Sequence, residues 1–187
     1  MSNEIIQTWN ETVGLPELLL SVGEDLDREG LIGTPDRMRR AYQEFFRGYS
    51  ENIEDIFKST FEAEGGGVQV CQDISFTSVC EHHVVPFFGY VDIAYEAQER
   101  VLGLSKLARL VDYFACRLQI QERLTNEIAD ALFDELAPRG VLVTIQAIHL
   151  CCKGRGVRRD KMNFLTTANR GEVDLISKVY QFKRRDF

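Results

Sequence analysis

The sequence predicts an α+β fold, with helices first and then strands and helices mixed in one domain. Three observations point there: apolar residues at helical spacing early in the chain, two central segments rich in β-branched and aromatic residues, and a later extended run that follows two helical patterns. At 187 residues, 44% hydrophobic and 27% charged, the chain has the length and balance of one soluble domain with a substantial core, and too little length for two full ones.

In chain order, Ile5, Ile6, Trp9 and Val13 recur at helical spacing, and the apolar run Leu18 to Val22 follows Pro16, which suits a helix start. Thr34 before Pro35 reads as an N-cap with a first-turn proline. Met38, Ala41, Phe45 and Phe46 form its apolar stripe, with Arg37, Arg39 and Arg40 around it. Gly65-Gly66-Gly67 is a joint, after which Val68 to Ser78 and Val84 to Tyr95 read as strands. Leu107, Leu110, Val111 and Phe114 mark one helix. Leu124, Ile128, Leu132 and Leu136 mark another, which stops near Pro138 and Gly140. From Val141 to Cys151 an extended strand places Val141, Val143, Ile145, Ala147, His149 and Cys151 on one face, so His149 and Cys151 are expected to point together and Cys152 away. No internal repeat interrupts this layout, and the stretch after Gly171 carries no clear pattern.

A net charge of −7 argues against a general nucleic-acid or membrane-surface binder, which needs an electropositive footprint. No apolar run reaches membrane-spanning length and Met1 to Trp9 lacks a signal-peptide pattern, so a cytoplasmic protein is expected. Five cysteines, an odd number, suit reduced thiols available for metal better than a secreted disulfide framework.

The three histidines all fall in two cysteine-containing segments, Cys80-Glu81-His82-His83 and His149-Leu150-Cys151-Cys152. Thiolate and imidazole are zinc donors, and the offset between Cys80 and His83 lets a tight loop present both to one ion, with Cys151 as the third ligand. Three protein ligands leave an open position for catalysis; His149 as a fourth would instead close a structural Cys₂His₂ site, and spacing leaves both open. Cys71 and Cys116 read as small buried hydrophobes.

Ser105, Lys106 and Arg109 cluster at a helix start, with Ser105 at the N-cap, where free N–H groups and two cations favour phosphate in an otherwise acidic chain. Glu122, after Gln121, is either a partner for its own helix dipole or an acceptor for the adjacent N1–H and N2 amino donors of guanine.

Taken together, Ser78-Val79-Cys80-Glu81-His82-His83, Gly103-Leu104-Ser105-Lys106, Gln119-Ile120-Gln121-Glu122-Arg123-Leu124-Thr125 and His149-Leu150-Cys151 with Arg155-Gly156 resemble the GTP cyclohydrolase I family, in order, over roughly Thr34 to Gly171. The resemblance implies zinc bound by Cys80, His83 and Cys151, and His82 and His149 as acid/base groups, with Ser105 beside them in the catalytic set. It implies a triphosphate held by Ser105, Lys106, Arg109 and Arg155, guanine recognised by Glu122 with Gln121, and Arg37 and Arg40 reaching phosphate from a neighbouring subunit. The implied reaction converts GTP to 7,8-dihydroneopterin triphosphate with release of formate, at the entry to pterin, folate or deazapurine synthesis. The implied architecture is the tunnelling fold, an antiparallel sheet with helices on one side, assembled as a ring-shaped homo-oligomer, a decamer, with active sites at subunit contacts. Residues 1–33 would be an N-terminal helical segment and residues 34–187 the catalytic domain.

The chain departs from the family pattern at Arg158 to Phe164 and in the extra thiol of Cys152. An enzyme of the same fold with a changed reaction is disfavoured by the intact zinc and histidine set. The H-x-E and P-C-x-x-C pattern of zinc deaminases is absent, and a purely structural zinc module would need His149 as a ligand.

Overall fold

A computed structural model of the chain describes residues 14–171 and Leu175; the helical spacing of Ile5 to Val13 lies outside the described residues. Helix α1 (Leu15–Ser21) begins at the Pro16 signal. Helix α2 (Thr34–Phe45) carries Pro35 in its first turn, but Thr34 is not its cap. Gly33 flanks the helix, and the Thr34 hydroxyl donates to Gly30 O (3.3 Å) and accepts from Arg37 (2.9 Å), so it is spent on the preceding loop. The stripe expected on α2 also shifts: Ala41 is exposed, while Met38, Tyr42 and Phe45 are half-buried.

A short 3₁₀ turn (Arg47–Tyr49) and α3 (Glu54–Phe57) lead to β1 (Thr60–Glu62), which among the described residues pairs with β4 (Arg100–Leu102) alone. The main sheet has the order β5-β2-β3-β6-β7, formed by β2 (Gly67–Cys80), β3 (Val85–Ala97), β5 (Leu118–Gln119), β6 (Gly140–His149) and β7 (Phe164–Gly171). All pairings are antiparallel except the two-residue contact of β2 with β5. β1, β4 and β5 escape the sequence reading because two or three residues carry no measurable period.

Helices α4 (Leu104–Ala115) and α5 (Gln121–Leu136) cover one face of the sheet. Their apolar stripes fall at helical spacing: Leu107, Leu110, Val111 and Phe114 on α4, and Leu124, Ile128, Leu132 and Leu136 on α5, all buried. Full burial of each such side chain contributes about 1.5–3 kcal/mol. Helix α5 ends at Ala137, held in the left-handed region (φ 43°) just before Pro138. Strand β6 is buried on both faces: Val141, Val143, Ile145 and Ala147 meet the helices, and Leu142 packs with Ala94 and Leu175 on the other side. That is why its sequence reads as a nearly continuous apolar run. None of the described helices is long and apolar enough to cross a membrane.

The chain leaves the extended conformation one step earlier than its alternation implies. Strand β6 stops at His149, and Leu150–Lys153 form a helical turn, α6, so Cys151 is not on the strand and does not share the face of His149 by alternation. The expectation that Cys152 points to the opposite face of a strand fails for the same reason, and the two sulfurs lie 3.9 Å apart.

The sheet closes tightly at Gly89, where β3 meets β6. A Cβ there would come within 2.0 Å of Gln146 O and 2.7 Å of Ala147 Cα, both backbone atoms that cannot turn aside. Gly89→Ala is expected to destabilise the fold by about 3 kcal/mol, read as a fall in the denaturant midpoint with little change in slope; an unaltered midpoint would contradict this packing.

Candidate metal centre and substrate site

Strands β2 and β3 are joined by the four residues Glu81 to Val84 between the paired ends Cys80 and Val85. Val84 N donates to Cys80 O at 2.8 Å, and Val84 itself adopts φ 52°, a left-handed conformation that costs a β-branched residue about 1–2 kcal/mol. The turn is held closed from outside. Glu81 N donates to Gln119 O at 3.0 Å, the Glu81 carboxylate pairs with Arg123, and Arg123 Nε donates to Gln119 Oε1 at 2.9 Å. Gln119, fully buried, donates in turn to Phe114 O (3.0 Å) and Glu127 (2.7 Å). These anchors lie within the segment Gln119 to Arg123 and at Glu81. Their supporting role is missed by sequence reasoning because it depends on the parallel pairing of β5 with β2.

This closure brings Cys80 and His83 together, with Cys80 Sγ 3.9 Å from His83 Nδ1. The helical turn α6 delivers Cys151 to the same point. One donor atom from each of Cys80, His83 and Cys151 lies within 4.8 Å of the others, and both cysteines are buried. Donors on a tetrahedral zinc sit roughly 3.5–3.8 Å apart, so the trio fits such an ion with little adjustment. His82 Nδ1 also lies 3.8 Å from Cys80 Sγ, but His82 is not part of the trio. Burial, reinforced by the neighbouring Cys152 and Cys80 thiols, pushes the Cys151 thiol up to about 12. A cation among these sulfurs reverses that preference by favouring thiolate.

His149 stands outside the trio. Its ring stacks on Phe87, its register partner on β3, with centroids 4.5 Å apart and planes at 4°, and Phe164 meets its edge. Its Nε2 lies 2.9 Å from Gln121 Oε1. The closed Cys₂His₂ alternative therefore has no fourth ligand at this position. Burial lowers the His149 pKa, and the Glu122 carboxylate acts on it in the opposite sense. Glu122 is exposed in the first turn of α5. Gln121, by contrast, is fully buried, with its carboxamide bonded inside the protein, so its side chain does not face a ligand.

The basic residues gather elsewhere. Helix α4 begins at Leu104 with Gly103 as its flanking residue, so Ser105 is not the N-cap but an exposed first-turn residue. Gly103 N donates to Ser59 O, which turns the chain one step before the serine. Lys106 Nζ donates to Asp55 O at 2.9 Å, and Lys106 and Arg109 line an open cavity of about 510 Å³ with Arg47, Asn52 and the acidic Glu51, Asp55 and Asp112. None of the cysteines or histidines of the candidate metal centre lines it. From Lys106 to the end of α4, where β5 leads back toward Cys80, is about 13 Å at 1.5 Å per residue. Arg155 is exposed just after α6, without an ion pair among the described residues. Arg37 donates to Gly30 O and Arg40 pairs with Asp36, both on or beside α2 and apart from the thiol trio.

Comparison with known proteins identifies the family. The family model for GTP cyclohydrolase I matches residues 12–181. A Thermobifida fusca protein named GTP cyclohydrolase 1 is 49% identical over 157 residues, covering 83% of this chain and 76% of that protein. Proteins of the same name from Clostridium perfringens and Brucella canis are 46% and 50% identical, covering 85% and 83% of this chain and 86% and 74% of their own lengths. Among solved structures, archaeosine synthase QueF-Like in the apo form is 17% identical with a TM-score of 0.50, covering 59% of this chain and 99% of that one, a likeness of fold alone. With a family match over most of its length and relatives near half identity, the chain belongs to the GTP cyclohydrolase I family.

Proposed function

We propose that this chain hydrolyses and rearranges GTP to 7,8-dihydroneopterin triphosphate with release of formate, using zinc held by Cys80, His83 and Cys151. The observation that carries the reading is the convergence of two thiols and one imidazole within 4.8 Å while His149 is bonded elsewhere. Three protein ligands leave one tetrahedral position open, the hallmark of catalytic and not structural zinc. Zinc there supplies Lewis-acid activation of water near neutral pH.

The side chains around it divide the remaining work. His82, exposed beside Cys80, and His149, half-buried with its pKa lowered by that burial, are the groups that accept and return protons at the purine and the sugar, with Ser105 as a further hydroxyl of the catalytic set. Glu122, at the positive end of α5 and near His149, accepts from guanine N1–H and the N2 amino group, and the first-turn backbone at Gln121 completes that contact. Lys106, Arg109 and Ser105 bind the triphosphate at the start of α4, with Arg155 as a further cation.

Because Lys106 and Arg109 line a cavity that lacks the thiols and histidines, a complete site takes its two parts from different copies of the chain. The outer edge of β7 and the Gly67–Ser78 part of β2 opposite β3 have no strand partner among the described residues, which supports closure of the sheet into a ring. The assembly in this reading is a homodecamer, with residues 34–187 as the catalytic domain and Arg37 and Arg40 reaching a neighbour's phosphates. The five free cysteines are in keeping with a reducing cytoplasm.

Zinc-loaded protein given GTP should release formate and yield a fluorescent pterin after oxidation and dephosphorylation. Cys151→Ser should abolish both and lose metal, whereas His149→Ala should retain metal and lose at least tenfold in turnover; equal metal loss from the two variants would restore the closed structural site. Lys106→Ala and Arg109→Ala should each weaken GTP binding by about tenfold and leave guanosine binding nearly unchanged, with a smaller salt dependence than wild type. Calorimetric titrations with both ligands would expose an equal loss, which the phosphate assignment does not survive. Glu122→Gln keeps shape but loses charge and one acceptor, so the preference for GTP over ITP, expected to be roughly tenfold, should narrow in competition binding. An unchanged preference returns Glu122 to a helix-dipole role.

A further inference from the structure

The Gln121 carboxamide is buried at the start of α5, between the end of β6 and the start of β7. Its Nε2 lies 3.0 Å from Ile145 O and 3.0 Å from Phe164 O, and a third acceptor, Thr166 Oγ1, is also at 3.0 Å. Main-chain carbonyls only accept, so the nitrogen of the amide must face them and a flipped amide is excluded. The hydroxyls agree: Thr125 Oγ1 donates to Gln121 O at 2.7 Å, leaving it to accept from Thr166 at 2.6 Å, which in turn accepts from Gln121 Nε2. With its nitrogen committed to β6 and β7, the amide turns its oxygen to His149 Nε2, 2.9 Å away. An amide oxygen only accepts, so Nε2 carries the hydrogen and the lone pair of the neutral imidazole is left on Nδ1.

We propose that Gln121 is a positioning residue that locks His149 in the Nε2–H tautomer and so leaves the ring's free lone pair on Nδ1. The inference rests on the reading of His149 as an acid/base group and gives it a direction. Stacking on Phe87 fixes the plane of the ring, and the amide oxygen fixes its rotation and its hydrogen. Neither contact reaches the metal trio, so Gln121 acts through His149 alone.

The chain has only three histidines, so solid-state ¹⁵N spectra of histidine-labelled, zinc-loaded protein resolve three rings, with His149 assigned by its absence in His149→Gln. The expected wild-type signature is a protonated Nε2 and a bare Nδ1 on His149. Gln121→Leu, close in size, should shift His149 toward the Nδ1–H form and lower kcat by tenfold or more with KM changed less than about threefold. Gln121→Glu, whose carboxyl must be protonated so that its hydroxyl faces the carbonyls of Ile145 and Phe164, keeps an acceptor opposite Nε2 and should retain the Nε2–H signature. A wild-type His149 with hydrogen on Nδ1 overturns the proposal even if Gln121→Leu fails to fold, and so does an unchanged tautomer in a folded Gln121→Leu. If His149→Gln turns over GTP at the wild-type rate, the acid/base reading fails separately, while the tautomer measured without GTP still reports on Gln121.

Discussion

The change from extended to helical backbone between His149 and Leu150 is the constraint on which the geometry of this molecule turns. A strand continuing to Cys151 would hold imidazole and thiol on one face, with Cys151 opposite Val85 at the end of β3. Ending the strand at His149 separates them. The imidazole stays in register with Phe87 and faces the start of α5, while the thiol is wound toward Cys80 and His83. One backbone transition thereby places an imidazole and a thiol two positions apart in separate surroundings.

The other half of the candidate metal centre depends on a chain of buried amides. Gln119 and Gln121, two residues apart and both essentially inaccessible, bond in different directions. Gln119 supports Arg123, which pairs with Glu81 in the β2–β3 turn, and Gln121 supports His149 at the end of β6. The exposed Glu81–Arg123 pair contributes little by itself, on the order of 1 kcal/mol or less. What matters is that the carboxylate and the backbone of Glu81 are both tethered, so the left-handed Val84 is sustained by neighbouring contacts. The start of α5 thus organises both parts of the site that carry the chemistry.

Much of this is legible in the sequence because it follows from periodicity and residue type. The stripes of α4 and α5, the two long strands and the concentration of histidine beside cysteine need no tertiary information. The misreadings share a physical cause. Thr34 and Ser105 have the chemistry of N-caps, but loop hydrogen bonds at Gly30 and Ser59 set the helix starts instead. The Val141 to Cys151 alternation is real to His149, and nothing in Leu150-Cys151-Cys152-Lys153 announces a turn of helix, since no proline or glycine precedes it. Gln121 is the instructive residue: the family resemblance implies that it joins Glu122 in base recognition, and only the positions of two carbonyls from β6 and β7 reveal that its side chain points inward.

Charge is arranged by the same economy. In a chain of net charge −7, long-range attraction for a nucleoside triphosphate is unfavourable, so anion binding must be local. The two helix starts differ in the charge placed beside them. At α4, Lys106 and Arg109 line a cavity with Arg47 and the acidic Glu51, Asp55 and Asp112. At α5 the first turn carries an exposed carboxylate, Glu122, at the positive end of the helix dipole, while the side chain of Gln121 beside it is buried. A phosphate brought to the second start would meet a carboxylate, and a guanine brought to the first would find cations where it needs an acceptor. The two starts therefore differ in the sign of the charge beside them, and the length of α4 and the short strand β5 separate them along the chain.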